Sequence, residues 1–152
     1  MGTARASMYQ RLLLYSDGGA RGNPGPSAIG YLAITETGEI IKADSRYIGI
    51  HTNNQAEYTA LIAALEFALT CKVEEVTCHL DSELVAKQLN REYRVKNSDL
   101  QTLWQKVQKL KTCFKKICFV NVPRTNNHIS KADALVNKTL DEEFKNRPAK
   151  RL

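Results

Sequence analysis

The spacing of the apolar residues changes near residue 51, and this change limits the folds open to the chain. Before it, three strand-length stretches, Leu12–Ser16, Ala28–Thr35 and Ile40–Ile50, are joined by short turns and predict an antiparallel meander. After it, helical spacing alternates with two further strand patterns, Val76–Leu80 and Ile117–Val122. Strands that are joined through helices pair in parallel by right-handed crossovers. The sequence therefore predicts an α/β fold with a mixed sheet.

Four helical patterns accompany these strands, each marked by apolar residues three or four positions apart. The marking residues are Tyr58, Leu61, Ile62, Leu65 and Leu69; Leu84, Val85 and Leu89; Leu100, Leu103, Trp104, Val107 and Leu110; and Leu135, Val136, Leu140 and Phe144. The 152 residues are enough for one domain with its own core, which we expect at residues 9–146. Residues 1–8 are expected to be a disordered arm or an expression remnant, and residues 147–152 a basic tail.

Composition excludes several classes of protein. No apolar stretch is long enough to span a membrane, and residues 1–7 lack the apolar centre of a signal peptide, so we expect a cytoplasmic protein with no membrane partner. The four cysteines, Cys71, Cys78, Cys113 and Cys118, have no zinc-finger spacing, and we expect buried, reduced thiols. The net charge of +6 and the pI near 9.2 fit a polyanionic partner without identifying one.

Four acidic residues lie where predicted strands end or helices begin. Asp17 closes the first strand and enters a Gly- and Pro-rich stretch in which we expect the chain to turn. Glu57 falls in the first turn of a helix that Asn54 can cap. Asp81 follows the fourth strand, and Asp133 follows a polar loop after the fifth. Each local sequence brings its acid to one edge of the predicted sheet, so the four carboxylates are expected to meet in one cleft.

Such a convergence requires cations, because two carboxylates about 5 Å apart repel by roughly 3 kcal/mol at an effective dielectric constant of about 20. No Lys or Arg occupies the helix-side positions next to the acids, and ligands that are all oxygen favour Mg²⁺ or Mn²⁺. Helix capping is the alternative for three of the acids. Asn54–Glu57 and Ser130–Asp133 have the pattern of capping boxes, and Asp81 or Ser82 can cap a helix.

Four motifs that contain these acids resemble, in this order, the motifs of type 1 ribonuclease H. They are Asp-Gly-Gly-Ala-Arg-Gly-Asn-Pro-Gly-Pro from Asp17, Thr-Asn-Asn-Gln-Ala-Glu up to Glu57, Leu-Asp-Ser-Glu around Asp81 and Lys-Ala-Asp-Ala-Leu around Asp133. The resemblance implies a five-stranded sheet in the order 3-2-1-4-5, flanked by helices. It also implies an endonuclease that hydrolyses the RNA strand of RNA/DNA hybrids and leaves 5′-phosphate and 3′-hydroxyl ends. Two Mg²⁺ or Mn²⁺ ions held by the four acids would serve this reaction with substrate bound.

The same resemblance implies further site residues. Those expected at the RNA strand are Gly22, Asn23, Asn53 and Asn54, and those expected at a phosphate of the DNA strand are Thr52 and Asn97. His128, in the polar loop before Asp133, is expected to assist proton transfer or product release.

Two departures from the family pattern concern the DNA strand. The usual basic residue two positions before Thr52 is Ile50, and only fifteen residues, Ser82 to Lys96, occupy the place of a longer basic handle. Arg91, Arg94 and Lys96 around Tyr93 are candidates to replace the handle. A monomeric hybrid-specific endonuclease is the first hypothesis. The alternatives are a nuclease-dead hybrid-binding or RNA-binding domain and a related nuclease or integrase-like strand-transfer domain.

Overall fold

The computed structural model describes residues 9–146. Within that range it has five strands and four helices: β1 Arg11–Ala20, β2 Gly25–Thr35, β3 Ile40–His51, α1 Asn53–Thr70, β4 Glu75–Leu80, α2 Glu83–Leu89, α3 Ser98–Lys111, β5 Lys116–Asn121 and α4 Asn127–Asn146. The expected arm at 1–8 and the expected basic tail at 147–152 lie outside the described residues.

The strands form one sheet in the order β3-β2-β1-β4-β5, which confirms the predicted mixed sheet. β1, β2 and β3 are antiparallel neighbours, whereas β4 runs parallel to β1 and β5 runs parallel to β4. The parallel pairing of β1 with β4 ends with Ser16 beside Leu80. The next residues, Asp17 and Asp81, therefore lie at the same edge of two neighbouring strands.

β1 continues past Asp17 to Ala20, so the expected end of the strand at Asp17 is wrong, although the chain does turn within the predicted Gly- and Pro-rich stretch. Pairing with β2 extends to Ala20, opposite Ser27, and supplies the backbone hydrogen bonds that offset the poor strand propensity of glycine. The chain turns only afterwards, where the N–H of Arg21 donates to the Pro26 carbonyl oxygen at 2.8 Å. Asp17 therefore lies inside a central strand and not at its end, and its backbone is positioned by the pairing with Gly30 of β2.

Glycines allow helices to pack closely on both faces of the sheet. A Cβ on Gly18 would lie 2.2 Å from the carbonyl oxygen of Ala56 in α1. A Cβ on Gly30 would lie 2.6 Å from the carbonyl oxygen of Ala132 in α4. α1 and α4 thus approach the sheet from opposite sides at the level of Asp17. Each of these two helices carries one of the remaining acids.

The start of α1 differs from the sequence prediction. Thr52, not Asn54, is the N-cap: its hydroxyl accepts from the Gln55 N–H at 3.1 Å, and the Gln55 side chain accepts from the Thr52 N–H at 2.8 Å. This capping box uses Gln55, so Glu57 is left out of it and lies fifth in the helix. The capping alternative for Glu57 is therefore wrong, and its carboxylate is free for another role.

The last helix begins earlier than expected. Asn126 caps α4, because its Oδ1 accepts from the N–H groups of His128 and Ile129 at 2.9 and 3.0 Å. The segment Ser130–Asp133 lies inside the helix and is not a capping box. Asp133 is the seventh residue of α4, and His128 lies in its first turn rather than in a loop. Ser82 caps α2, as one of the two predicted alternatives had it.

The four cysteines lie within the described residues and form no disulfide there, and Cys78 is the one of them that is fully buried. Cys113 and Cys118 are exposed, which corrects the expectation that all four thiols are buried. Cys118 lies on β5, an edge strand with one neighbour, so one side of it meets solvent. Within residues 9–146, none of the helices has the length and apolarity that crossing a membrane requires.

Candidate active site

Four elements bring the four predicted acids to one cleft. Asp17 comes from the central strand β1, Asp81 from the end of β4, Glu57 from α1 and Asp133 from α4. The cleft has a volume of about 340 Å³. It is lined by Asp17, Gly18, Gly19, Ala20, Arg21, Asn53, Glu57, Asp81, Ser82, Arg124, Asp133, Val136, Asn137 and Leu140. Capping does not explain this convergence, because the acids come from four separate elements.

Three of the carboxylates are close enough to share a ligand. One oxygen atom from each of Asp17, Glu57 and Asp81 lies within 4.8 Å of the other two. Asp17 is only 4% exposed. Asp133 lines the same cleft outside this group of three, and its Oδ2 accepts from Asn137 Nδ2 at 3.3 Å. The arrangement is a compact trio with a fourth carboxylate beside it.

Crowding of like charges in a buried place perturbs these acids. Burial raises the pKa of Asp17 to about 8, the carboxylates of Asp81 and Asp133 add to the shift, and Arg124 opposes it. Burial also raises the pKa of Glu57 well above its ordinary value, with Asp17 and Asp81 adding to the shift. The N–H of Gly18, which donates to Glu57 Oε1 at 3.1 Å, opposes this shift. The cleft thus holds more negative charge than its own residues neutralise.

This donor set fits hard divalent cations. The converging atoms are all carboxylate oxygens, which Mg²⁺ and Mn²⁺ prefer. Burial is the main cause of the two raised pKa values, and a cation among the oxygens would offset it and the repulsion that adds to it. Asp17, Glu57 and Asp81 form the group that could hold one ion, and Asp133 could join them in holding a second.

Arg124 is a site residue that the sequence analysis missed. Its Nε donates to Asp81 Oδ2 at 3.2 Å, and its side chain is 78% exposed whereas that of Asp81 is 8% exposed. The expectation that no Lys or Arg lies beside the acids considered only the helix-side positions. Arg124 instead comes from the loop after β5, the strand next to β4, so the predicted strand order contained the signal that could have found it.

The asparagines lie beside the cleft and connect its elements. Asn53 Oδ1 accepts from the N–H of Ala20 at 2.8 Å, and the N–H of Asn53 donates to Asn23 Oδ1 at 3.0 Å. These bonds fix the end of β1 and the turn after it against the start of α1. Within the turn, Gly22 has a positive φ of 94°, which a larger residue would adopt only with strain.

A second depression of about 260 Å³ gathers most of the other predicted substrate residues. It is lined by Asn23, Thr52, Asn54, Gln55, Asn97, Asp99 and Leu100. The oxygen atoms of Thr52 and Asn97 cap α1 and α3, accepting from the N–H groups of Gln55 and Leu100. Among the described residues, the hydroxyl hydrogen of Thr52 and the amide NH₂ of Asn97 have no acceptor and can serve as donors. The structure therefore brings the two predicted DNA-phosphate residues together.

His128 does not line the acidic cleft as it stands. Its ring lies 4.8 Å from the Tyr15 ring, and its Nδ1 is buried without a hydrogen-bond partner in the described structure. Tyr15 also stacks on His79 at 4.1 Å. Burial lowers the pKa of His79, whose Nδ1 lies 3.0 Å from the Leu14 carbonyl oxygen. The role expected of His128 stays a prediction.

The segment expected to replace the handle is partly engaged within the protein. The Arg91 guanidinium lies 5.6 Å from the centre of the Trp104 ring, and Lys87 Nζ lies 5.0 Å from the centre of the Tyr93 ring. Tyr93 remains exposed, and so does Ile50, at 60%. The surface predicted to face the DNA strand therefore exposes Ile50, at the position where the family usually has a basic residue. It also exposes Tyr93, which lies among the predicted basic residues.

Comparisons with known proteins agree with this geometry. A family model described as reverse transcriptase-like matches residues 15–139. The chain is 41% identical to ribonuclease HI of Halobacterium salinarum over 132 residues, which cover 87% of this chain and 65% of that protein. It is 38% identical over 132 residues to a bifunctional protein of Mycobacterium tuberculosis, of which it spans 36%. The chain thus spans less than two thirds of the length of these relatives.

A solved structure extends the comparison to three dimensions. LC11-RNase H1, crystallised in complex with an RNA/DNA hybrid, superposes with a TM-score of 0.81 at 40% sequence identity. The superposition covers 88% of this chain and 99% of that one. The two chains therefore share their fold over almost the whole length of LC11-RNase H1.

Proposed function

Because the chain belongs to the type 1 ribonuclease H family, we propose that it is an endonuclease that hydrolyses the RNA strand of RNA/DNA hybrids. The products are a 5′-phosphate and a 3′-hydroxyl end. The observation that carries the proposal is the convergence of Asp17, Glu57 and Asp81 within 4.8 Å, with Asp133 in the same cleft. A protein that only bound hybrids would have no use for this mutual repulsion.

The acids hold two divalent cations, Mg²⁺ or Mn²⁺, when substrate is bound. Such ions supply Lewis acidity at the scissile phosphate and lower the pKa of an attacking water. The chain's own contribution is placement: Asp17 pairs with Gly30 of β2 directly after the last β1·β4 pair at Ser16, and Glu57 is held by the N–H of Gly18. Arg124 balances part of the charge of Asp81 from the open side of the cleft.

Specificity for RNA rests on the residues beside the cleft. The carboxamide groups of Asn23, Asn53 and Asn54 donate and accept at once, which suits minor-groove base edges and the 2′-hydroxyl of RNA. The free donors of Thr52 and Asn97 suit a phosphate of the DNA strand. The hybrid bound to LC11-RNase H1 supports this assignment of the substrate. Because Gly22 has no side chain, the protein backbone at this turn can approach the RNA strand closely.

The experiment is a cleavage assay with labelled RNA/DNA, RNA/RNA and DNA/DNA duplexes of one sequence, in Mg²⁺ or in EDTA. We expect cleavage of the RNA strand of the hybrid only, in Mg²⁺ only. Asp17→Asn should lose turnover, whereas Glu142→Gln, an exposed carboxylate on α4, should keep it. Undiminished cleavage in EDTA, or products with 2′,3′-cyclic phosphate, contradicts the proposal.

A further inference from the structure

Arg21 lines the same cleft as the four acids, yet it is paired elsewhere. Its guanidinium donates to Asp141 Oδ1 at 2.8 Å and to the carbonyl oxygen of Asn137 at 3.4 Å. It also lies 5.6 Å from the centre of the Phe144 ring. All three partners belong to α4. A cation at the edge of an acidic cleft is thus held to one side of it.

The side chain of Arg21 is not needed to hold the turn in which it lies. The backbone N–H of Arg21 already donates to Pro26, and Asn23 already accepts from Asn53. The pair with Asp141 is open to water, with side chains 35% and 62% exposed. Exposed ion pairs contribute little to stability, because water competes for both charges. The Asp141 carboxylate is therefore a partner that another anion can replace.

The chemistry of the position selects that anion. Under the proposed function the acids mark the scissile phosphate, and the asparagines lie on the α1 side of it. Arg21 lines the same cleft on its α4 side, within reach of a phosphate next to the scissile one if the strand runs past the acids toward α4. A guanidinium presents a planar fork of donors that matches two oxygens of a phosphate. The side chain has the reach to meet a neighbouring phosphate, since the phosphates of a strand follow one another at short intervals.

The geometry points to Arg21 as a phosphate-binding residue for the RNA strand beside the scissile bond, with Asp141 as the counter-ion that it exchanges for that phosphate. This inference rests on the proposed function. Asp141 also has a role before substrate binds. It holds the guanidinium on the α4 side of the cleft until a phosphate takes its place.

The test is binding of an RNA/DNA hybrid across a salt series, with Ca²⁺ in place of Mg²⁺ to block cleavage. Arg21→Ala should weaken affinity about tenfold and make the slope of log K against log salt shallower by roughly 0.7 to 0.9. Asp141→Asn should act in the opposite direction and strengthen affinity roughly two- to fivefold, because it frees Arg21. Arg21→Lys should keep the slope and lose part of the affinity.

Two controls separate this effect from general charge. Arg11→Ala removes an arginine from exposed ion pairs at the other end of β1 and should leave affinity within about twofold. Glu142→Gln removes one negative charge next to Asp141 and should strengthen affinity less than Asp141→Asn does. In Arg21→Ala the further change Asp141→Asn should bring no gain beyond that of Glu142→Gln, because the two residues act as one unit.

The inference is overturned if Arg21→Ala leaves the salt slope unchanged. It is also overturned if Arg21→Ala and Asp141→Asn change hybrid affinity in the same direction, which is the result expected if the pair only ties the turn after β1 to α4. If Arg21→Ala does not fold, the comparison of Asp141→Asn with Glu142→Gln decides the question. Equal gains in hybrid affinity for these two variants overturn the inference. If the wild-type protein does not bind the RNA/DNA hybrid, the proposed function itself is contradicted. If the wild-type protein binds the hybrid but Arg21→Ala changes neither the affinity nor the salt slope, only this inference fails and the proposed function stands.

Discussion

Replacing Asp17 by Asn should change how stability depends on pH in the metal-free protein. The native state keeps a proton on Asp17 up to a pKa of about 8, whereas an unfolded chain releases it near 3.8. Between these values the native state binds more protons than the unfolded state, so the free energy of unfolding falls as pH rises. Asn carries no charge at any of these values, and Asp17→Asn should therefore lack this loss.

The size of the effect follows from the shift. A raise of about 4 pKa units corresponds to at most ~6 kcal/mol at 1.36 kcal/mol per unit. Rotation of the neighbouring carboxylates and uptake of counter-ions relieve part of the repulsion. We therefore expect the difference in stability between Asp17→Asn and wild type to grow by about 2 to 4 kcal/mol from pH 5 to pH 9, a large part of the total stability of a small domain.

The assay is urea unfolding in EDTA at pH 5, 7 and 9 and constant ionic strength, for wild type, Asp17→Asn and Glu142→Gln. The Glu142 variant should follow wild type at every pH, because that carboxylate is exposed on α4. Added Mg²⁺ should restore wild type at pH 9 and have less effect on Asp17→Asn, since a cation that binds only the native state stabilises it. A difference between wild type and Asp17→Asn that stays constant from pH 5 to pH 9 would refute the reasoning.

Three further predictions concern catalysis, packing and binding. His128→Ala should lower kcat roughly ten- to a thousandfold with little change in KM, and wild-type turnover would make His128 an ordinary packing residue. Gly18→Ala should cost about 3 kcal/mol or more in urea unfolding, because its Cβ would meet Ala56 at 2.2 Å; Gly19→Ala, whose nearest contact is 3.7 Å, should cost far less, and equal losses would contradict the close packing of α1. Without a basic handle, hybrid affinity should be modest and its salt slope shallow, at roughly 0.9 per phosphate contact; a slope implying about seven or more contacts would show that the segment Arg91–Lys96 or the expected basic tail replaces the handle.

The mixed sheet and the positions of the four acids could be predicted from local patterns, whereas the strand order 3-2-1-4-5 followed from the resemblance to type 1 ribonuclease H. Alternating apolar residues identify the meander, helical spacing identifies the crossovers, and the handedness of crossovers then makes β4 and β5 parallel to β1. Asp17 lies within a strand, Asp81 follows one, and Glu57 and Asp133 lie on helices that pack against the sheet. The four carboxylates therefore meet because of the way the strands and helices are arranged in the sheet, and the four motifs identify which residues carry them.

The errors arose where tertiary contacts outweigh local propensity. β1 continues through Gly18 and Gly19 because β2 offers a full set of hydrogen-bond partners, which no count of glycines reveals. Asn126 begins α4 one turn early, and the sequence has several other residues that could cap it equally well. Arg124 was missed because its neighbour Asp81 is 43 residues away in the chain. These features depend on pairings between distant segments.

The distribution of the acids along the chain determines when a nascent polypeptide acquires its site. Asp17, Glu57, Asp81 and Asp133 are dispersed over most of the sequence, and the final helix carries the last of them while covering β1 and β2. A ribosome that has completed only β5 has produced three of the four carboxylates and left one face of the sheet bare. Any fragment that ends there lacks Asp133, so the four-carboxylate cleft is complete only when synthesis of the domain is almost finished.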